Sequence, residues 1–120
     1  MNRPIVVRAI VLPLAMLLLF CAVSSAMAQE QTVKITAKKF EFTPSEITLK
    51  KGVPVVLELT SLDRLHGFNC PGLKIRADVE QGKTATVKFT PDTAGEFPFH
   101  CDIFCGSGHE MMHGTFIVSP

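Results

Sequence analysis

A short stretch near the C-terminus of this chain concentrates sulfur and imidazole side chains. It reads HCDIFCGSGHEMMH over residues 100–113, and its candidate ligands follow the spacing Cys101-x3-Cys105-x3-His109-x2-Met112. A further histidine, His66, lies upstream, with 34 residues between it and Cys101. Thiolate and thioether sulfur are soft ligands and imidazole is a borderline one, and this mixture favours copper. The sequence therefore predicts a copper site.

Each of these residues also has a plainer interpretation. Cys101 and Cys105 could close a disulfide in an oxidising compartment, and with His66 and His109 they could form a mononuclear Cys2His2 site for copper or zinc. Met112 alone would be read as core packing. The disulfide leaves His109 and Met112 at their regular intervals unexplained, and the thioether disfavours zinc.

The neighbours of the candidate ligands receive separate predictions. His100 should face away from Cys101 if a strand continues that far, and so be exposed. His113 is predicted to be a surface residue at the rim of the site, with a transient copper contact as the alternative, and Met111 to pack. Cys70 is predicted to be a small buried hydrophobe, with a copper-loading thiol as the alternative. The sequence does not decide whether Asp63, Arg64 and Asp78 support the site or lie on the surface.

The N-terminus has the pattern of an export signal. Arg3 and Arg8 precede an apolar run, and Ala26-x-Ala28 then predicts cleavage before Gln29. The rival interpretation, a retained membrane anchor, fits less well because the run is short for a span of about 20 residues. Residues 1–28 are therefore predicted to be a secretory signal peptide and residues 29–120 the mature domain, with no stable membrane insertion. Three cysteines remain in it: Cys70, Cys101 and Cys105.

Charge argues against one class of partner. The predicted signal carries two of the 12 basic residues and no acid, so 10 basic and 11 acidic residues remain and the mature net charge is −1. This charge implies no basic surface capable of neutralising a nucleic acid.

Short alternating segments predict an all-β fold. Val33, Ile35 and Ala37 alternate with polar residues, and similar apolar positions follow at 47–49, 55–59, 73–79, 84–90, 97–99 and 116–118. Gly and Pro interrupt them at 50–54 and 91–95. Without a helical repeat in the mature chain, this pattern predicts a single β-sandwich domain.

The order of several motifs resembles that of the cupredoxin family. The motifs are Phe42-x-Pro44, Lys51-Gly52, the lone His66, Pro91-x3-Gly95 and the Cys/His/Met loop. The loop is the specific part of the resemblance, and it is similar to the binuclear copper (CuA) site of cytochrome oxidase subunit II and nitrous oxide reductase. The resemblance implies a cupredoxin-like Greek-key β-sandwich with His66 on a loop at its mouth.

The resemblance also implies a ligand set. Two copper ions would be bridged by the thiolates of Cys101 and Cys105, each ion would take one imidazole, from His66 or His109, and weaker donors would be the Met112 sulfur and the Ile103 carbonyl. Phe68, Phe99 and Phe104 are candidates for the apolar wall.

The function implied by the resemblance is one-electron transfer in the periplasm without catalytic turnover. The partner would be a periplasmic redox protein or a cuproenzyme. The sequence has no Trp or Tyr, whereas oxidase domains resemble one another in docking cytochrome c with an aromatic residue, so the docking mode should differ. The alternative function is capture of copper and its delivery to an oxidase or another cuproenzyme.

Overall fold

The computed structural model describes Pro4 and residues 29–120. The predicted signal peptide, apart from Pro4, lies outside the described residues, and the division of the chain at residue 28 stays a prediction.

The described chain folds almost entirely into strands joined by turns. They are β1 (Gln31–Lys38), β2 (Glu41–Thr43), β3 (Glu46–Lys50), β4 (Val55–Ser61), β5 (His66–Cys70), β6 (Ile75–Val79), β7 (Thr84–Phe89), β8 (Gly95–His100) and β9 (His113–Ser119). Short 3-10 turns lie at Pro71–Leu73 and His109–Met111. Among the described residues, no helix has the length and apolar character needed to cross a membrane.

Two sheets face each other. One has the order β2-β1-β4-β7 and the other β3-β9-β8-β5-β6. Two strand pairs are parallel, β1 with β4 and β3 with β9. The other pairs are antiparallel. The predicted all-β sandwich is confirmed.

Alternation of burial explains why these segments become strands. In β4 every second side chain, from Val55 to Ser61, is buried, because one face of the sheet covers the core. Phenylalanine rings from both sheets fill the space between them. Phe99 contacts Phe68 and Phe116 with ring centroids 4.8 and 4.9 Å apart, and Phe42 meets Phe99 edge-on at 5.5 Å.

The structure differs from the predicted segments in a few places. β2 and β5 have no counterpart among the predicted apolar segments, and β9 begins at His113 rather than near Phe116. Leu73 lies in a 3-10 turn instead of extending β6. His66, predicted on a loop, is the first residue of β5 and is fully buried.

Candidate metal centre

The predicted ligands prolong rows of side chains that already face the core. On β5, His66 precedes Phe68 in the inward row, and Cys101 follows Phe99 two positions later at the end of β8. Met112 lies just before β9 and is 1% exposed. Because side chains on a strand alternate between faces, the same spacing that buries the phenylalanines brings these donors to one end of the sandwich.

The segment between Cys101 and Met112 is a closed loop. The Cys101 N–H donates to the Met112 carbonyl at 3.0 Å, and the 3-10 turn at His109–Met111 tightens the far side. Arg64 Nη1 donates to the Cys105 carbonyl at 3.2 Å, which ties the middle of the loop to the segment before β5. These hydrogen bonds restrain the loop that carries the candidate donors.

Glycines let one aromatic ring cover this loop. A Cβ on Gly108 would lie 2.4 Å from Phe40 Cδ2, and one on Gly106 would lie 2.9 Å from the same ring. Real Cβ atoms essentially never approach a heavy atom so closely. The absence of side chains at these two positions thus allows Phe40 to pack directly on the loop backbone.

Two buried sulfurs form the middle of the donor cluster. Cys101 Sγ lies 4.0 Å from His66 Nδ1 and 3.2 Å from the Ile103 carbonyl oxygen. Cys105 Sγ lies 3.6 Å from His109 Nδ1 and 3.8 Å from Met112 Sδ. The nearest ligand atoms of His66, Cys101 and Cys105 all lie within 4.8 Å of one another. Each sulfur is thus accompanied by an imidazole nitrogen and by a weaker donor.

Asp63 fixes the orientation of His66. His66 Nε2 lies 2.7 Å from Asp63 Oδ1, so the other ring nitrogen, Nδ1, is the one that faces Cys101. Asp63 Oδ2 in turn accepts a hydrogen bond of 2.7 Å from the Lys39 N–H. Burial alone would raise the pKa of Asp63, but the hydrogen bonds from Lys39 and His66 outweigh it and lower the pKa. A carboxylate that orients a histidine in this way is typical of metal sites.

The chemistry of the thiols fits a cation. Cys101 and Cys105 are free and buried. Burial raises the pKa of Cys105, and the neighbouring Cys101 raises it further because two thiolates repel. A bound metal ion reverses both effects, since a coordinating thiol is deprotonated. The soft and borderline donors gathered here therefore fit copper.

The structure brings together all six predicted donors: His66, Cys101, Ile103 (through its carbonyl), Cys105, His109 and Met112. Their ligation stays a prediction. Of the predicted wall, Phe68 and Phe99 are fully buried, but Phe104 is 73% exposed. Phe104 thus has no place in a buried wall, although its ring lies 5.8 Å from that of His109, centroid to centroid.

The residues beside the ligands also have definite places. His100 and His113 are exposed, which confirms the predictions that His100 turns away from Cys101 and that His113 is a surface residue. Met111 was predicted to pack but is 74% exposed, because it belongs to the 3-10 turn and Met112 points inward instead. Cys70 is fully buried, and its burial raises the pKa of the thiol. A buried, protonated thiol of this kind is inert, as the packing prediction for Cys70 requires.

Sequence reasoning left three polar residues undecided, and the structure separates them. Asp63 and Arg64 contact the site, whereas Asp78 is exposed and pairs with Arg76. The sequence feature that could have indicated a contact between Asp63 and His66 is their separation of three residues. Arg76 also binds both oxygens of Asp102 at 3.0 Å and so holds the residue after Cys101 against β6.

Comparisons with known proteins agree with this geometry. The profile of the cupredoxin-like domain family matches residues 10–118. Cytochrome c oxidase subunit 2 of Thermus thermophilus is 35% identical over 97 residues, which are 81% of this chain and 72% of that subunit. Nitrous-oxide reductase of Cupriavidus necator is 40% identical over 91 residues, which are 72% of this chain but only 14% of the reductase.

A solved structure shows the same fold. A chain in the cryo-EM structure of a haem-copper terminal oxidase dimer superposes with a TM-score of 0.69 at 25% sequence identity, over 74% of this chain and 65% of the other. These are proteins to which the chain is similar over one domain.

Proposed function

This chain belongs to the cupredoxin-like domain family, and we propose that it is an exported copper protein that transfers single electrons through a binuclear CuA-type centre. The observation that carries the proposal is the pairing of each buried sulfur with its own imidazole and its own weak donor. Six donors exceed the four of a tetrahedral site. Two copper ions, rather than one, would make use of all six.

When bound, such a centre would supply the sharing of one electron between two copper ions, which would let it accept and give up an electron with little structural change. This chain's residues contribute rigidity. Asp63 fixes the His66 ring, and the Cys101–Met112 hydrogen bond closes the loop. Phe68 and Phe99 keep water from the inner side of the site. Hydrogen bonds to ligands and a dry surround tune a metal and its access to solvent.

Exposed apolar side chains mark where a redox partner would dock. Among the described residues, the exposed large hydrophobic side chains are Leu62, Leu65, Phe104 and Met111. The first two lie within four residues of His66 in sequence, and the last two lie in the ligand loop. Apolar side chains gathered in this way mark interaction sites. We propose that a periplasmic redox protein or cuproenzyme docks here.

The proposed location follows from the sequence of the N-terminus. Residues 1–28 carry the signal-peptide pattern, and residues 29–120 would be the exported domain. Electron transfer requires no catalytic turnover by the domain itself, so we propose a carrier rather than an enzyme.

Metal stoichiometry combined with electron paramagnetic resonance tests the proposal. Residues 29–120 are reduced, loaded with copper and partially oxidised. We expect two copper ions per chain and hyperfine structure from two equivalent nuclei. Cys101→Ser and Cys105→Ser should each abolish that spectrum, whereas the buried control Cys70→Ser should keep it. One copper ion with a single-nucleus spectrum would contradict the binuclear proposal.

One observation favours the alternative of copper delivery. The thioether of Met111 is 74% exposed beside the ligand Met112, and it could receive copper that leaves the site. Delivery requires a labile ion. Rapid loss of copper to a competing chelator, together with the single-nucleus spectrum, would favour delivery, and slow loss would favour the electron carrier.

A further inference from the structure

Two of the four histidines take no part in the candidate centre. His100 ends β8 and His113 begins β9, and the register of the two antiparallel strands places them directly opposite each other. Both are exposed. Asn69 of β5 lies opposite His100 on its other side. The outer face of the sheet therefore carries a pair of facing imidazoles at the same end as the ligand loop.

The pattern of backbone hydrogen bonds brings the two imidazoles close. The Cys101 N–H donates to the Met112 carbonyl, whereas the Met112 N–H donates to the His109 carbonyl, so one bond in the position of a ladder bond joins residues 101 and 112. Hydrogen-bonded and non-hydrogen-bonded pairs alternate along an antiparallel ladder, so His100 and His113 form a non-hydrogen-bonded pair. In such pairs the side chains are closest, with Cβ atoms about 4.5–5.5 Å apart.

The imidazole pair and the thiolates occupy opposite faces of the sheet. Cys101 and Met112 are buried, whereas His100 and His113, each one position away, are exposed. Successive side chains on a strand point to opposite faces. The backbone of the sheet thus separates the outer pair from the inner donors, and an ion held outside would not share their sulfurs.

The two outer rings are free to bind an ion. Within residues 29–120, the histidine side chains that make hydrogen bonds are His66 and His109. Metal–imidazole bonds of about 2 Å are within reach of two rings on facing positions. Both oxygens of the nearby Asp102 are bound by Arg76, so Asp102 is not counted as a ligand.

The donor type selects the ion. Imidazole suits copper, zinc and nickel, and divalent copper has the highest affinity in the first-row series. Without sulfur, the pair lacks the ligands that monovalent copper prefers. We propose that His100 and His113 form a second, solvent-exposed site for divalent copper, completed by water and distinct from the inner centre.

Copper titration followed by electron paramagnetic resonance tests this site. Divalent copper is added to residues 29–120 after the inner centre has been filled. We expect one further equivalent, with nitrogen coupling from two imidazoles. His100→Gln and His113→Gln should each weaken its binding by on the order of tenfold or more, because the second ring otherwise acts at a high effective concentration. The spectrum of the inner centre should not change.

Two controls keep the outcome interpretable. Glu96→Gln changes an exposed side chain on the outer face of the same strand, β8, and should leave the further equivalent in place. The double variant Cys101→Ser/Cys105→Ser removes the inner thiolates and should retain the two-nitrogen signal, so this test does not depend on the inner centre. The absence of a further equivalent, or its survival in a His100→Gln/His113→Gln double variant, would overturn the proposal.

Discussion

Removal of the Asp63 carboxylate should weaken copper binding although it leaves every proposed ligand residue in the chain. Asp63 holds His66 through a bond of 2.7 Å to Nε2, and His66 is fully buried. In Asp63→Ala the ring loses that partner and the restraint that aims Nδ1 at Cys101. Loss of such an orienting group typically costs about 10–100-fold in metal affinity, which corresponds to about 1.4–2.7 kcal/mol.

The metal-free protein should lose stability as well. A buried donor left without a partner costs about 1–3 kcal/mol, and urea unfolding of the metal-free chain measures this loss. Copper affinity is measured separately by competition with a chelator. Asp63→Asn keeps an oxygen that can accept a hydrogen bond from Nε2–H, so its copper affinity should fall between those of the native protein and Asp63→Ala.

Asp78→Ala is the matched control for this experiment. Asp78 is also an aspartate in an ion pair, but its side chain is 52% exposed. In the variant its partner, Arg76, would still have its ion pair with Asp102. Exposed pairs contribute about 0–1 kcal/mol, so copper affinity should be unchanged. If folded Asp63→Ala bound copper as tightly as Asp78→Ala, the orienting role of Asp63 would be refuted.

Three further variants test the packing around the site. Cys70→Ser places a hydroxyl in the core and should cost about 1–3 kcal/mol with copper stoichiometry unchanged; loss of copper would give Cys70 a role in binding. Met112→Leu should cost less than about 1.5 kcal/mol, keep both copper ions and shift the reduction potential in voltammetry; complete metal loss would make the thioether a strong ligand. Gly108→Ala places a Cβ 2.4 Å from Phe40 and should lower the free energy of unfolding by about 1–3 kcal/mol, or the melting temperature by several degrees. An unchanged melting temperature would show that the Phe40 ring can move aside at no cost in stability.

The sequence predicted those strands whose inward positions are apolar and recur at every second residue. β1 and β4 alternate clearly because Val, Ile, Leu and Ala fill their buried positions. β5 was not predicted, because its inward row of His66, Phe68 and Cys70 contains a single large apolar side chain and so shows no apolar alternation. β2 has only three residues, with Phe42 as its buried side chain, and is too short to show a period.

Five of the six candidate donors could be named from their thiol, imidazole or thioether groups, and the Ile103 carbonyl only from the family resemblance; their binding of copper stays a prediction. The support around them could not be predicted. The bond from Arg64 to the Cys105 carbonyl and the packing of Phe40 on Gly106 and Gly108 join segments far apart in sequence. Which of Met111 and Met112 points inward depends on the 3-10 turn, which has no sequence pattern of its own.

The way the donors are held bears on the choice between electron transfer and copper delivery. His66 and Cys101 continue strand rows that are packed against the aromatic core, so the core packing restrains both side chains. Donors fixed in this way resist movement when an ion changes oxidation state, and that resistance keeps reorganisation small. Opening of the loop to release an ion would pull Gly106 and Gly108 away from the Phe40 ring. A scaffold that opposes opening therefore favours a retained redox centre.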